Sequence, residues 1–287
     1  MAMYRLTSGM AENSLPSLAE TIRAYDLRAD KSLGQHFLLD PHLLARIAQA
    51  AQLPEGVNVI EVGPGPGGLT RALLETKARH ITAIEYDKRA VAAITALAAT
   101  TTRLSILEAD ALKANLPALV PAPRAIVANL PYNIGTLLLV NWLQQAAQFQ
   151  SMTLMFQLEV AERICAQPDS SAYGRVSVLT QWLCEVSMLM RIPAGAFAPP
   201  PKVESALIRV VPRADQPSPA DLRLMERLTA AAFGQRRKML RGALKSLGGE
   251  ALCAEAGIEA QRRAETLSVA EFVQLMRALQ AREATQP

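Results

Sequence analysis

At 287 residues, half of them apolar and a fifth charged, the chain can bury a full core without disulfide or metal staples, and one large domain with a smaller partner is expected. Glycine and proline are too sparse for a collagen-like or disordered protein, and three cysteines far apart and never in a CxxC indicate neither a zinc cage nor a disulfide framework. The net charge of +4 is unevenly placed: residues 1–190 carry 15 Lys and Arg against 16 Asp and Glu, and residues 191–287 carry 15 against 10. That C-terminal excess suits either a polyanionic partner or an ordinary soluble surface.

In chain order, residues 1–16 read as a flexible tail with no secretory signal, and Ser17–Leu27 as a short helix. Pro41–Gln52 has helical apolar spacing through Leu43, Leu44, Ile47 and Ala48. Val57–Val62, His80–Glu85, Leu104–Glu108 and Arg124–Ala128 are short β-prone runs separated by helical patterns or loops, the βαβ rhythm of a parallel sheet. The uncharged stretch Ala125–Leu158 contains Asn129, Pro131, Asn133, Gly135 and Asn141, so it reads as strand, loop and helix and not as a membrane span. Ser151–Phe156 gives a fifth strand, and Leu158–Ala166 and Arg175–Trp182 two helices. Val186–Ile192 and Val203–Val211, joined by the Pro-rich turn Phe197–Lys202, suggest an antiparallel edge. After Pro212 the pattern is helical, over Leu222–Phe233, Arg236–Leu247, Gly249–Ala256 and Val269–Ala281. The expected fold is α/β, a Rossmann-like sheet over residues 17–212 with an antiparallel edge, followed by a small all-α domain over residues 213–287.

The first informative motif is Glu61-Val-Gly63-Pro-Gly65-Pro-Gly67-Gly-Leu-Thr70, between a strand and the helix Leu69–Leu74. Glycines let the backbone turn sharply and approach a ligand. Twenty residues past Gly65, Glu85 ends the second strand, where an acid can accept both hydroxyls of a ribose. A dinucleotide is the rival ligand. The Gly63-x-Gly65-x-Gly67 spacing, Glu61 two residues earlier and Asp110 after the third strand favour a ribose and an adenine amine without a pyrophosphate, which is S-adenosylmethionine. The plainer alternative is that these acids only cap helices or solvate strand ends.

The second motif, Asn129-Leu130-Pro131-Tyr132, follows the fourth strand at the carboxyl edge of the sheet. An exocyclic aromatic amine is a poor nucleophile because its lone pair is delocalised into the ring. The Asn129 side chain and the Leu130 carbonyl could accept its two hydrogens and favour the pyramidal form, with Pro131 stiffening the loop and Tyr132 stacking on the base. Phe197 is read either as a core plug or as a second aromatic face clamping an extruded adenine. No Ser–His–Asp or metal constellation accompanies these motifs, and His42 and His80 read as structural or surface residues, so a direct displacement at the sulfonium methyl is expected.

Lys31-Ser-Leu-Gly-Gln35-His36-Phe-Leu38-Leu-Asp40, the Glu61–Thr70 loop, Glu85, Asp110, Asn129–Tyr132, Phe197-Ala-Pro-Pro-Pro-Lys-Val203-Glu-Ser205 and Phe233-Gly-Gln-Arg-Arg-Lys238 together resemble the ribosomal RNA adenine dimethyltransferases, in order and spacing from Lys31 onward. In its bacterial form the resemblance implies dimethylation of two adjacent adenines near the 3′ end of 16S ribosomal RNA, in the immature small subunit, by a cytoplasmic monomer that uses S-adenosylmethionine and no metal. It implies that Gln35, His36 and Leu38 cover the methionine and adenosyl parts of the cofactor. Gly63 and Gly65 would meet its amino-acid end, Glu85 its ribose, Asp110 its adenine amine and Asn129 its methyl-bearing end. Lys202, Arg236, Arg237, Lys238 and Arg241 are the expected RNA contacts. On a helix, Arg237, Arg241 and Lys245 would form one exposed stripe, read as a phosphate-binding face or simply a solvated one. Two other classes stay open: a methyltransferase for 23S ribosomal RNA, DNA adenine or a protein glutamine, and a non-catalytic small-subunit assembly factor.

Overall fold

Strand β2 (Asn58–Val62) is buried at every position, as a strand covered by helices on both faces must be. It pairs in parallel with β3 (His80–Glu85) and β5 (Arg124–Asn129); β3 pairs in parallel with β4 (Leu104–Glu108), and β5 with β6 (Ser151–Gln157). Beyond β6 the sheet turns antiparallel through β9 (Ser205–Pro212), which lies between β6 and β7 (Cys184–Ile192). The seven-stranded order is therefore β4-β3-β2-β5-β6-β9-β7. The chain runs outward from β2 to β4 and then returns to β5, so the order reverses between β2 and β5, and ligands of open α/β sheets bind beyond the strand ends at such a reversal. The computed structural model describes residues 15–27, 36–235 and 237–285, so most of the expected tail lies outside the described residues.

Local sequence explains where the helices begin. Ser17 and Glu20 form a reciprocal capping box at the start of α1 (Leu18–Ala24). Asp40 accepts the His42 and Leu43 amides, with Pro41 in the first turn, at the start of α2 (Pro41–Ala50). Leu44, Ile47 and Ala48 then point α2 into the apolar layer on one sheet face, with Val57, Val59, Leu73 and Ile81. The other face is covered by α6 (Gly135–Leu143), whose Leu138, Leu139 and Trp142 pack on Ile60, Ile126 and Leu154. The remaining crossovers are α3 (Gly68–Leu74), α4 (Lys88–Ala98), the short α5 (Leu116–Leu119), α7 (Leu158–Cys165) and α8 (Arg175–Leu183). No helix among the described residues is long and apolar enough to cross a membrane.

Three features depart from the sequence expectation. The Pro-rich turn opens with a two-residue strand, β8 (Phe197–Ala198), which pairs antiparallel with β1 (Phe37–Leu38), and β9 starts at Ser205, two residues later than Val203. Prolines 199–201 lack the N–H that a ladder needs. The expected helix Arg236–Leu247 is not continuous: α9 (Pro219–Gly234) ends, and α10 (Leu240–Ala243) restarts after a turn. Burial of Leu240 decides this, since its amide is bonded to the Arg262 carbonyl and its side chain enters the helical core. Arg237, Lys238, Arg241 and Lys245 are all exposed, yet they lie on a turn, a one-turn helix and a 3-10 turn, so the expected stripe does not form. Finally, the core formed by α9, α11 (Gly249–Glu255) and α12 (Val269–Thr285) also takes in Ala166, Tyr173, Val178 and Leu179 from the α7–α8 region.

Candidate active site

Both motifs converge beyond the carboxyl ends of β2, β3 and β5. One cleft is lined by His36, Phe37, Leu38, Glu61, Gly63, Gly65, Glu85 and Asn129–Tyr132, and a neighbouring one by Tyr86, Asp110, Asn133 and Ile134. They share Gly63, Glu85 and Pro131, so they are two ends of one elongated site.

The glycine loop is shaped by its backbone. Gly65 has φ +52°, and a Cβ there would stand 3.0 Å from the Phe37 ring, so both conformation and space demand glycine. Glu61 is buried in mid-strand, with Oε2 lacking any hydrogen-bond partner among the described residues. Burial pushes its carboxyl up to about 8, opposed by the nearby Thr70 hydroxyl and aided by the like charge of Glu85. Such a group on a cleft wall awaits a cationic donor, and at the sequence level only its place before the glycines hinted at this. Glu85 spends Oε1 on the Tyr86 and Asp87 amides, at 2.7 and 2.9 Å. Burial raises its pKa, opposed by those amides and by the Gly65 amide. Asp110 accepts the Leu112 amide through Oδ1 at 2.9 Å, and its Oδ2 stands 3.7 Å from the Lys113 ammonium.

At the opposite end, the Asn129 Nδ2 donates to the His36 carbonyl at 3.2 Å. That commits the amide nitrogen and leaves the oxygen as an acceptor. The Pro131 carbonyl accepts the Ile134 and Gly135 amides, which closes the loop on itself. Leu130 is buried at 2% exposure and Tyr132 half-buried, its hydroxyl 2.5 Å from the Ser205 Oγ. Phe197 is buried in the layer that holds Leu38, and its ring meets His36, with centroids 6.4 Å apart, and not Tyr132. The His36 ring also tilts against Tyr132 at 5.2 Å, and its Nδ1 lies 2.8 Å from the Pro199 carbonyl.

Gln35 and Arg236 lie outside the described residues. Lys202 is exposed in the segment between β8 and β9, while Arg237, Lys238 and Arg241 sit in the helical region. None of these four has an ion-pair partner among the described residues. Ser205 and Phe37 stand inside motifs quoted from the sequence but are given no role there, since a serine or phenylalanine carries no signal of its own until its neighbour is known.

A reversed-order parallel sheet with an antiparallel edge, a glycine loop, an acid after each of the next two strands and Asn-Leu-Pro-Tyr after the fourth define an S-adenosylmethionine-dependent methyltransferase of the kind that modifies amino groups. The family model for ribosomal RNA adenine dimethylase matches residues 27–281, and the chain belongs to that family. A ribosomal RNA small subunit methyltransferase A from Gluconobacter oxydans is 59% identical over 263 residues, covering 91% of this chain and 87% of that protein. The protein of the same name from Azorhizobium caulinodans is 56% identical, covering 93% and 94%. Among solved structures, the 23S rRNA methyltransferase ErmE aligns with a TM-score of 0.64 at 29% identity, covering 85% of this chain and 99% of that one. A dimethyladenosine transferase from Plasmodium falciparum shares the fold, with a TM-score of 0.74 at 24% identity over 86% and 98% of the two chains.

The cleft fits the cofactor that this family uses. The orphaned Glu61 oxygen suits an ammonium, the Gly63–Gly65 backbone leaves room beside it, and Glu85 and Asp110 offer acceptors to a ribose and an adenine amine. Bound there, S-adenosylmethionine supplies the electrophilic methyl group.

Proposed function

We propose that this enzyme dimethylates the N6 amines of two adjacent adenines near the 3′ end of 16S ribosomal RNA, as a cytoplasmic monomer acting on the immature small subunit. Relatives of 51–59% identity carry small-subunit names, whereas the large-subunit enzyme is 29% identical, which supports the 16S substrate over 23S. The observation that carries the chemistry is the fixed amide of Asn129. With its nitrogen held by the His36 carbonyl, its oxygen accepts one hydrogen of the target amine, and the Leu130 carbonyl accepts the other. Both interactions strengthen as the amine gains positive character, so they favour the transition state over the ground state.

The other residues bind and orient. Glu61 holds the cofactor ammonium, Glu85 the ribose, Asp110 the adenine amine, and Leu38 of β1 and His36 just before it cover the cofactor. Tyr132 stacks on the extruded base, Pro131 keeps the loop rigid, and Phe197 closes the wall behind His36. Lys202, Arg236, Arg237, Lys238 and Arg241 contact RNA phosphates, so residues 17–212 form the transfer unit and residues 213–287 the RNA-holding unit. Labelled S-adenosylmethionine incubated with unmethylated 30S subunits, 50S subunits or duplex DNA tests the substrate: label is expected in the 30S arm as dimethyladenine, and label confined to another arm overturns the assignment.

A further inference from the structure

Ser205 is fully buried, at the first residue of β9, with its backbone in register between Gln157 of β6 and Ile192 of β7. It is thus held from both sides of the sheet. Its hydroxyl reaches the Tyr132 phenol at 2.5 Å, across 73 residues of sequence. Tyr132 itself sits on a loop, half-buried, in a stretch where Pro131 stiffens the backbone but nothing in the backbone sets the side-chain torsions. A ring attached only at Cβ swings about two torsions, whereas one tethered also at its hydroxyl keeps a single plane.

We propose that Ser205 is a positioning residue for methyl transfer: its hydrogen bond to the phenol holds the Tyr132 ring in the plane on which the target adenine stacks. The inference rests on the reading of Tyr132 as the base platform. A second bond from the same segment, between the Pro199 carbonyl and His36 Nδ1, holds a ring that packs against Tyr132, with centroids 5.2 Å apart. Pro199, just after β8, and Ser205, the first residue of β9, thereby each hold one ring at the site. Burial raises the Tyr132 pKa, and the Ser205 hydrogen bond acts in the opposite direction.

A double-mutant cycle tests this with the full-length protein on unmethylated 30S subunits at saturating S-adenosylmethionine. Ser205→Ala and Tyr132→Phe are each expected to slow single-turnover methylation roughly tenfold, the scale of one hydrogen bond. The double variant should be no slower than either, because both changes remove the same bond. Ser205→Thr should recover most of the rate, and calorimetry should show cofactor affinity within about twofold of wild type for all of them. A wild-type rate in Tyr132→Phe overturns the proposal even if Ser205→Ala proves too unstable to assay, and so does a Ser205→Ala loss that is equally large in the Tyr132→Phe background. Tyr132→Ala separates the two levels: if it too is fully active the platform reading fails, and if it is inactive while Tyr132→Phe is normal, only the role of Ser205 fails.

Discussion

The carboxyl edge of the sheet and the exposed basic segment after Gly234 hold charged and polar groups in opposite ways. At the sheet edge, Glu61, Glu85 and Asn129 are held by buried strands, and their carboxyl and amide groups are partly desolvated and individually aimed. After Gly234, Arg237 and Lys238 are exposed on a turn and Arg241 on a one-turn helix. The first arrangement gives each residue a separate and large effect, because a group preorganised in low dielectric cannot be replaced by water. The second gives small, additive and salt-sensitive effects.

That contrast is broken most directly at Asn129. Asn129→Ala is expected to lower the single-turnover rate on unmethylated 30S subunits by about 10²–10³, as for loss of one preorganised partner, with RNA affinity nearly unchanged. Mass spectrometry counting methyl groups per adenine at saturating cofactor measures it. A wild-type rate would remove Asn129 from the chemistry. Next in size, Glu85→Ala should weaken S-adenosylmethionine binding by about 1.5–3 kcal/mol, read by calorimetry.

On the other side of the comparison, reversing Arg237 and Arg241 to Glu should flatten the slope of log affinity against log salt by about one for each phosphate no longer neutralised, while leaving cofactor affinity intact. An unchanged slope would return these residues to an ordinary solvated surface. A separate test uses the raised pKa of Glu61. Its folded value of about 8 lies above the ordinary carboxyl value of 4.5, so the folded state holds a proton that the unfolded state has lost. Cofactor-free stability should therefore fall as pH rises from about 4.5 to 8, by at most about 1.4 kcal/mol per unit. Glu61→Gln should reduce that slope in chemical denaturation, leaving the part that the raised Glu85 pKa contributes, and an unchanged slope would show that Glu61 does not cause it. Cofactor binding below pH 8 should also release a proton, which calorimetry in buffers of different ionisation enthalpy detects.

The sheet was readable from sequence almost to the residue at His80–Glu85 and Leu104–Glu108, because short apolar runs bounded by turns have few other ways to be buried. The glycine loop and the acids after it were equally readable, since their chemistry depends on local spacing. What escaped has a physical reason in each case. The β1–β8 pair is two residues long on each side and carries no periodicity. The bond between Ser205 and Tyr132 joins residues that nothing local connects. The break before α10 runs through strong helix formers, whose propensity is overridden by the burial of Leu240.

The short β1–β8 ribbon and the bond from His36 to Pro199 bridge residues more than 150 positions apart, and one wall of the cofactor cleft hangs on them. During synthesis the chain can lay down β2 to β6 in order, but that wall is without its β8 partner until residues 197–205 have left the exit tunnel and β9 has inserted between β6 and β7. Closing so long a loop is among the slower steps open to a chain of this size. A nascent fragment ending before Phe197 would thus hold every residue that lines the two clefts and still lack the strand that pairs with β1 and the carbonyl that holds the His36 ring.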